Sequence, residues 1–461
     1  MSDKQCINVQ GFLNGHPFST FQWIIFALGF VIVLLDGFDT AAIGYIAPSL
    51  LKEWGVAKPD LAPVLSAALF GLAAGALGAG PLADRFGRKR VLVASVGCFG
   101  IASLVSAYAA SLDQLTLLRF ATGLGLGAAM PNAITLMSEY CPDRRRAMLT
   151  NTMFCGFPLG AALGGFLAAW MIPLWGWRSV LILGGVLPLI LTVLLVFLLP
   201  ESVRYLVSKG LSMDTVRTIL SRISPTAQHA TSFVLSEDVR HQAHETTQGK
   251  TRSGVSLVLS RGYIAGSLAL WVAYFMGLVM FYALVNWMPV LLKDAGLDPK
   301  QATLISALFP LGGIGAIVFG WLMDRFNGNR IISVGYLLSA VAIAGIGQAA
   351  GHLGLLMAVV FLAGIMVNTS QVSMPSLAAA FYPTRGRATG VAWMLGIGRF
   401  GGIAGSFLVA ELTRRQLGFD QIFLLIAVPG LIAAVALLAK QFCHPERTIA
   451  PVPEEALGLG H

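Results

Sequence analysis

Two aspartates three residues apart, Asp36 and Asp39, interrupt an apolar run that extends from about Trp23 to Ile46. On a helix that spacing puts both carboxyls on one face. Two acids on one face in apolar surroundings cannot easily both hold a charge, so one of them is suited to take up and release a proton. An ionisable group at bilayer depth is costly and marks an ion or substrate path unless it is a structural pair. Two cations stand in other apolar runs, Arg119 at a depth similar to that of the aspartates and Arg399 nearer the middle. Arg119 lies about five residues from the end of its run, roughly 8 Å deep at 1.5 Å per residue. It is expected to face Asp36 or Asp39, the rival reading being that its long stem carries the guanidinium out to the surface. Arg399, in Gly396-Ile-Gly398-Arg399-Phe400-Gly401-Gly402, is about a dozen residues into its run, near mid-depth. It is the best candidate for a fixed positive charge at an anionic substrate, with pairing to a protein acid as the alternative.

Around these charges, certain runs are rich in rings and amides. One holds Trp271, Tyr274, Phe275, Phe281, Tyr282, Asn286 and Trp287; another holds Asn368, Thr369, Ser370 and Gln371. Rings in a cavity favour a flat aromatic ligand, and amides inside an apolar span can hydrogen-bond its hydroxyl or carboxyl. Tyr274, Phe281, Trp287, Asn368 and Gln371 are therefore candidate substrate contacts, together with Arg399, Trp393 on the same run as Arg399, and Asn132 after the helix-bending Pro131.

The elements that must position these residues follow from composition. The 461 residues are 56% hydrophobic and 11% charged, with a mean hydropathy of +0.75. Repeated apolar runs of about 20 residues make this an all-α membrane protein. Twelve spans are expected, at roughly 22–47, 61–83, 91–110, 114–138, 148–172, 178–199, 263–291, 302–323, 331–350, 354–381, 387–410 and 419–442. The net charge of +9 is concentrated in short links such as Arg85 to Arg90 and Arg144 to Arg146, so it reads as a topology signal and not as a nucleic-acid surface. The basic links place both termini in the cytoplasm. The polar stretch 201–262 is expected to be a cytoplasmic linker, partly helical over 212–223, dividing the chain into six-helix bundles at 1–200 and 263–461. His241 and His244 in it read as part of a solvated link. The five cysteines are irregularly spaced and suggest no disulfide framework. No nucleophile–base set, cofactor loop or metal spacing is present, so the expected protein is not an enzyme and needs no cofactor or metal.

The halves repeat. Gly80-Pro-Leu-Ala-Asp84-Arg85-Phe-Gly87-Arg88 closes span two, and Gly320-Trp-Leu-Met-Asp324-Arg325-Phe326 closes span eight. Tyr140-Cys-Pro142 and Tyr382-Pro383, each followed by two or more arginines, recur at the same offset of about 240 residues. Duplicated bundles of this kind fit a transporter with its site between the halves at the midplane. Gly80, Asp84, Arg85, Gly87, Arg88, Asp324 and Arg325 are then candidate gate residues, Asp and Arg pairing or capping across a helix gap.

These loops resemble the cytoplasmic signature of the major facilitator superfamily. Leu35-Asp36-Gly37-Phe38-Asp39-Thr40-Ala41-Ala42-Ile43-Gly44 and Ala388-Thr-Gly390-Val-Ala-Trp393-Met-Leu-Gly396-Ile-Gly398-Arg399 are similar to the aromatic acid:proton symporters of that superfamily, above all the 4-hydroxybenzoate/protocatechuate carriers. The resemblance spans the twelve runs. It implies the two-bundle facilitator fold, Asp36 and Asp39 needed for transport, an Asp84 loop that latches the conformational cycle, and proton-driven uptake of a small aromatic carboxylate across a bacterial inner membrane; Arg119 is expected to join the aspartates in proton coupling on the depth argument above. The implied partners are the aromatic acid, protons and lipid, in a monomer. Alternatives are a carrier of benzoate, gentisate or hydroxyphenylpropionate, an aromatic exporter, or a non-transporting receptor for aromatic acids.

Overall fold

The computed structural model describes residues 6–211, 213–230, 232–235, 254–315, 322–323, 325–349, 351–382 and 384–443. With no water in hydrocarbon to meet backbone N–H and C=O groups, apolar runs close their hydrogen bonds internally and become helices. Eleven described helices are long and apolar enough to cross a membrane. In chain order the elements begin with β1 (Cys6–Asn8), α1 (Val9–Gly15), α2 (Thr20–Trp54), α3 (Leu61–Phe86), α4 (Arg88–Ser106) and α5 (Leu112–Glu139). They continue with α6 (Asp143–Phe154), α7 (Gly156–Trp175), α8 (Arg178–Leu198), α9 (Val203–Ser208), α10 (Met213–Ser221), β2 (Ser232–Val234) and α11 (Gly254–Val258). The last are α12 (Ile264–Asp294), α13 (Pro299–Leu311), α14 (Gly328–Gln348), α15 (Leu353–Phe381), α16 (Thr384–Arg414) and α17 (Phe419–Cys443).

Two expected spans are not seen as single helices: 148–172 divides into α6 and α7 at Cys155, and 302–323 is only partly described. α13 passes into a 3-10 turn at Gly312–Gly315, and most of its remaining residues, Asp324 included, lie outside the described ones. The linker histidines His241 and His244 also lie outside them.

α2 carries the acid pair. Ser19 accepts from the Gln22 backbone N–H, and Gln22 returns a bond to Ser19, a reciprocal cap that starts the helix. Gly55, at φ +63°, ends it in the left-handed conformation that favours glycine. At 35 residues α2 is roughly 52 Å long, more than a hydrocarbon core needs.

The polar stretch after residue 200 is not simply solvated. β1 pairs in parallel with β2, Cys6 opposite Ser232, in the two-stranded sheet of an otherwise helical fold. Val216, Leu220, Ala227 and Phe233 join Val9, Leu13 and Phe21 in a buried cluster against α2, α5 and α8. Helix α10 falls within the helical stretch expected at 212–223.

Burial along the spans shows where the two sets of helices meet. Every residue of α2 from 35 to 48 and of α12 from 279 to 292 is buried, so both helices are ringed by protein there. Toward the end that carries Arg85 and Arg88, the basic end, the same helices expose a side, as does α16 around Ala392, Trp393 and Gly396. At the far end Lys58 pairs with Asp294 at 2.5 Å and Lys293 Nζ donates to the Pro48 carbonyl at 3.3 Å. The helices are thus drawn together at the far end, while at the basic end they leave a side uncovered.

Candidate functional site

Asp36 and Asp39 project from the fully enclosed part of α2, 2% and 1% exposed. Gly37 between them permits this. A Cβ on it would overlap the Phe157 carbonyl, so only glycine lets α7 lie this close to the acids. Gly156 and Gly160 of α7 are the matching surface, abutting the Phe30 and Leu34 carbonyls of α2.

The two acids have different surroundings. Asp39 is held by a two-pronged fork: Arg119 Nη1 donates to Oδ2 at 3.1 Å and Nη2 to Oδ1 at 3.3 Å. Ser103 donates to Oδ1 at 2.9 Å, and the oxygens of Ser103 and Thr122 accept from Arg119 Nη2 at 3.3 Å. Arg119 is fully buried, so the pair is shielded and cannot exchange its partners for water. Of the two acids the sequence offered as partners, Arg119 takes Asp39, and its guanidinium turns inward and not to the surface.

Asp36 accepts one long bond, from Thr40 Oγ1 at 3.4 Å, and has no ion pair among the described residues. Arg399 and Asp39 are near enough to act on it through space. Arg399 is half-buried, and its Nη1 donates to the Leu72 carbonyl of α3 at 3.2 Å, so it reaches across from the last six spans to the first six. Asp36, Asp39, Arg119 and Arg399 together sum to zero charge when all are ionised.

The remaining candidates divide by what their polar atoms do. Trp287 is fully buried and donates its indole N–H to the Ser406 carbonyl at 3.1 Å. Asn132 donates to the Ala128 carbonyl at 2.8 Å, and Asn368 to the Phe309 and Gly364 carbonyls. Trp287 and Asn368 thereby tie helices together, while Asn132 bonds a carbonyl of its own helix. Gln371 accepts from the Tyr336 hydroxyl at 2.8 Å and donates to the Tyr274 carbonyl at 3.4 Å. Phe281 meets Phe157 across the two sets of helices, ring centres 6.1 Å apart. Trp393 is 36% exposed beside Trp271, in the part of α16 that opens at the basic end. Tyr274 is half-buried and also within electrostatic reach of Arg399. A small cavity with room for about one water is lined by Asp39, Thr40, Tyr282 and Asn286, with Leu65, Leu69 and Leu72 of α3 opposite.

At the basic end the expected Asp–Arg latch is arranged differently from the sequence reading. Asp84 is exposed and has no hydrogen bond or ion pair among the described residues. Gly80 is likewise exposed. Arg85 lies over the Phe86 ring, and its carbonyl accepts from the Tyr205 hydroxyl. Arg88 pairs with Glu139 at 2.8 Å, and Glu201 accepts from the Lys89 backbone N–H at 3.0 Å. Gly87, at φ +95°, abuts Glu201, where a side chain would collide. Arg325 is exposed, and Asp324 is not among the described residues. Glu139 and Glu201 went unnoticed in the sequence. Their signal was an acid directly ahead of Tyr140-Cys-Pro142 and another directly after Pro200.

Comparisons with known proteins agree on the fold. A family model described as Major Facilitator Superfamily matches residues 29–350 and 270–459. The chain is 51% identical over 436 residues to a protein named 4-hydroxybenzoate transporter PcaK from Pseudomonas aeruginosa, covering 94% of this chain and 96% of that one. It is 44% identical over 435 residues to a protein named gallate transporter from Pseudomonas putida, covering 94% and 95%. The xylose transporter XylE from E. coli, solved in an inward-open conformation, has the same fold, with a TM-score of 0.70 at 18% identity over 90% of this chain and 95% of that one.

Proposed function

The chain belongs to the major facilitator superfamily, and we propose that it carries a small aromatic carboxylate, such as 4-hydroxybenzoate or protocatechuate, into the cell together with a proton. Relatives named for 4-hydroxybenzoate and gallate support the substrate class. The observation that carries the coupling is the unequal pair on α2. Asp39 is locked to Arg119, while Asp36 is buried without an ion pair and is free to take a proton.

Charge balance supplies the mechanism. The empty site, with both aspartates and both arginines ionised, is neutral. A monoanionic substrate would leave it at minus one, and a net buried charge resists moving through apolar surroundings. A proton on Asp36 restores neutrality. One proton therefore travels with one carboxylate, and both the empty and the doubly loaded carrier change conformation without carrying net charge. Arg399 holds the carboxylate, and the ring lies near Tyr282, Phe281 and Trp393. The segments 1–200 and 263–461 move as two rigid bodies around the site. The protein is a monomer in the inner membrane with both termini cytoplasmic, so the basic end faces the cytoplasm and the side left uncovered there describes an inward-open carrier.

The test is uptake of labelled 4-hydroxybenzoate by proteoliposomes with an acidic exterior. Accumulation driven by the pH gradient supports symport. Efflux driven by the same gradient would make it an exporter, and binding without flux a receptor.

A further inference from the structure

Asn286, on α12, is 1% exposed and lines the cavity beside Asp39 and Thr40. Its Nδ2 donates to the Leu65 carbonyl at 3.3 Å and to the Ser406 hydroxyl at 2.9 Å. The Leu65 carbonyl can only accept, and Ser406 gives its own proton to the Gly402 carbonyl at 3.3 Å. The amide therefore cannot be turned round. Its Oδ1 is left buried with no hydrogen-bond partner among the described residues, a destabilised acceptor that any fitting donor would satisfy.

α3 sets the distance to the carboxylate site. Asn286 bonds the carbonyl of Leu65 and Arg399 that of Leu72, seven residues further along one helix. At 1.5 Å per residue the amide and the guanidinium stand roughly 10 Å apart along that axis. A benzene ring substituted at opposite ends, with a hydrogen bond of about 2.8 Å at each end, spans such a gap. Tyr282 packs on Gly402, midway between Arg399 and Ser406 on α16, and offers a ring face along the way. The cavity at Asn286 has room for a hydroxyl but not for a ring. The ring would enter as Arg399 leaves Leu72 for the carboxylate.

We infer that Asn286 determines specificity by accepting a hydrogen bond from a ring hydroxyl para to the carboxylate held at Arg399. This rests on the aromatic-acid reading above. The site then prefers 4-hydroxybenzoate-like rings to unsubstituted ones because only a hydroxyl answers Oδ1.

The experiment measures proteoliposome transport of labelled 4-hydroxybenzoate and benzoate under one imposed proton gradient. In the unaltered protein, 4-fluorobenzoate, similar in size at the para position but with no proton to give, should compete no better than benzoate. Asn286→Ala should lower the ratio of kcat/KM for 4-hydroxybenzoate over benzoate by about tenfold, with benzoate itself changing little. Ser406→Ala, which removes a partner of Nδ2 but leaves Oδ1, should keep the ratio. The inference is overturned if 4-fluorobenzoate competes as well as 4-hydroxybenzoate, if both substrates fall together in Asn286→Ala, or if the unaltered protein moves both acids equally well. Transport of neither acid would overturn the functional reading as well.

Discussion

Replacing Asp36 with asparagine separates proton coupling from substrate movement. The side chain is nearly isosteric, and the carboxylate has one 3.4 Å hydroxyl contact to lose, so the fold should change by no more than about 1 kcal/mol. The charge balance changes completely. With substrate bound, Asp39, Arg119, Arg399 and the carboxylate still sum to zero, so the loaded variant can reorient. Empty, the variant keeps one uncompensated positive charge in the cleft. A buried charge without its partner is destabilised by about 3–5 kcal/mol, which slows return of the empty carrier by two to nearly four orders of magnitude, roughly 10² to 10⁴-fold. Exchange of labelled for unlabelled substrate uses only loaded steps and should persist near the unaltered rate. Net uptake needs the empty return and should collapse. The unaltered carrier, moving one proton with one anion, should accumulate substrate about tenfold per pH unit, since one unit is worth 1.36 kcal/mol. It should be indifferent to membrane potential. The variant should not accumulate at all, and an interior held about 100 mV negative should oppose the anion by about 2.3 kcal/mol. Asp36→Asn protein that accumulates substrate with the normal response to pH would refute the reasoning, as would variant protein in which exchange and net uptake are lost together although it remains folded.

Other perturbations follow from the same geometry. Arg119→Met strands the Asp39 carboxylate and should destabilise the protein by about 3–5 kcal/mol; thermal unfolding in detergent reads this, and the Asp39→Asn/Arg119→Met double variant should recover most of the loss. Arg399→Gln should raise KM for aromatic carboxylates about 10- to 100-fold, the value of a hydrogen bond to a charged group, while uncharged 4-hydroxybenzamide competes equally against both proteins. Lys58→Glu sets like charges opposite Asp294 at the far end. Being exposed, the pair is worth at most about 1 kcal/mol, so labelling from that side of a cysteine placed at Ile43 should rise several-fold at low salt and less at high salt.

Much of this was legible in the residues because bilayer depth is a one-dimensional quantity. Apolar run length fixes helices, and equal depth brought Arg119 to the two aspartates without any tertiary knowledge. What sequence could not separate were groups of identical chemistry distinguished only by their neighbours. Asn286 and Asn368 are both amides whose Nδ2 meets a carbonyl of another helix, but only Asn286 of the two leaves a buried Oδ1 without a partner among the described residues. Trp287 shares a helix with Tyr282 but turns its indole to Ser406. The β1–β2 pair joins Cys6-Ile7-Asn8 to Ser232-Phe233-Val234, too short for any alternation to show. Asp84 was read as half of a latch, and the motif alone did not show that it is exposed and without an ion pair among the described residues.

A ligand shifts a conformational balance only by binding one state differently from another, and the site shows where that difference arises. In this state Arg399 is engaged with the Leu72 carbonyl, a bond between the two sets of helices. A carboxylate is the stronger partner for a guanidinium, since a charge-assisted bond is roughly twice as strong as one to a neutral carbonyl. If Arg399 is the carboxylate's partner, as proposed, substrate binding takes it from α3 and loosens one of the bonds that hold this state. Taken alone, that step leaves a net negative charge in the cleft, and the reorientation it invites is opposed by desolvation. A proton on Asp36 removes the opposition. On this reading substrate weakens the inward-open state in which it is bound, and the proton makes passage neutral in either direction. Neither does the other's part, which is why one would not be carried without the other.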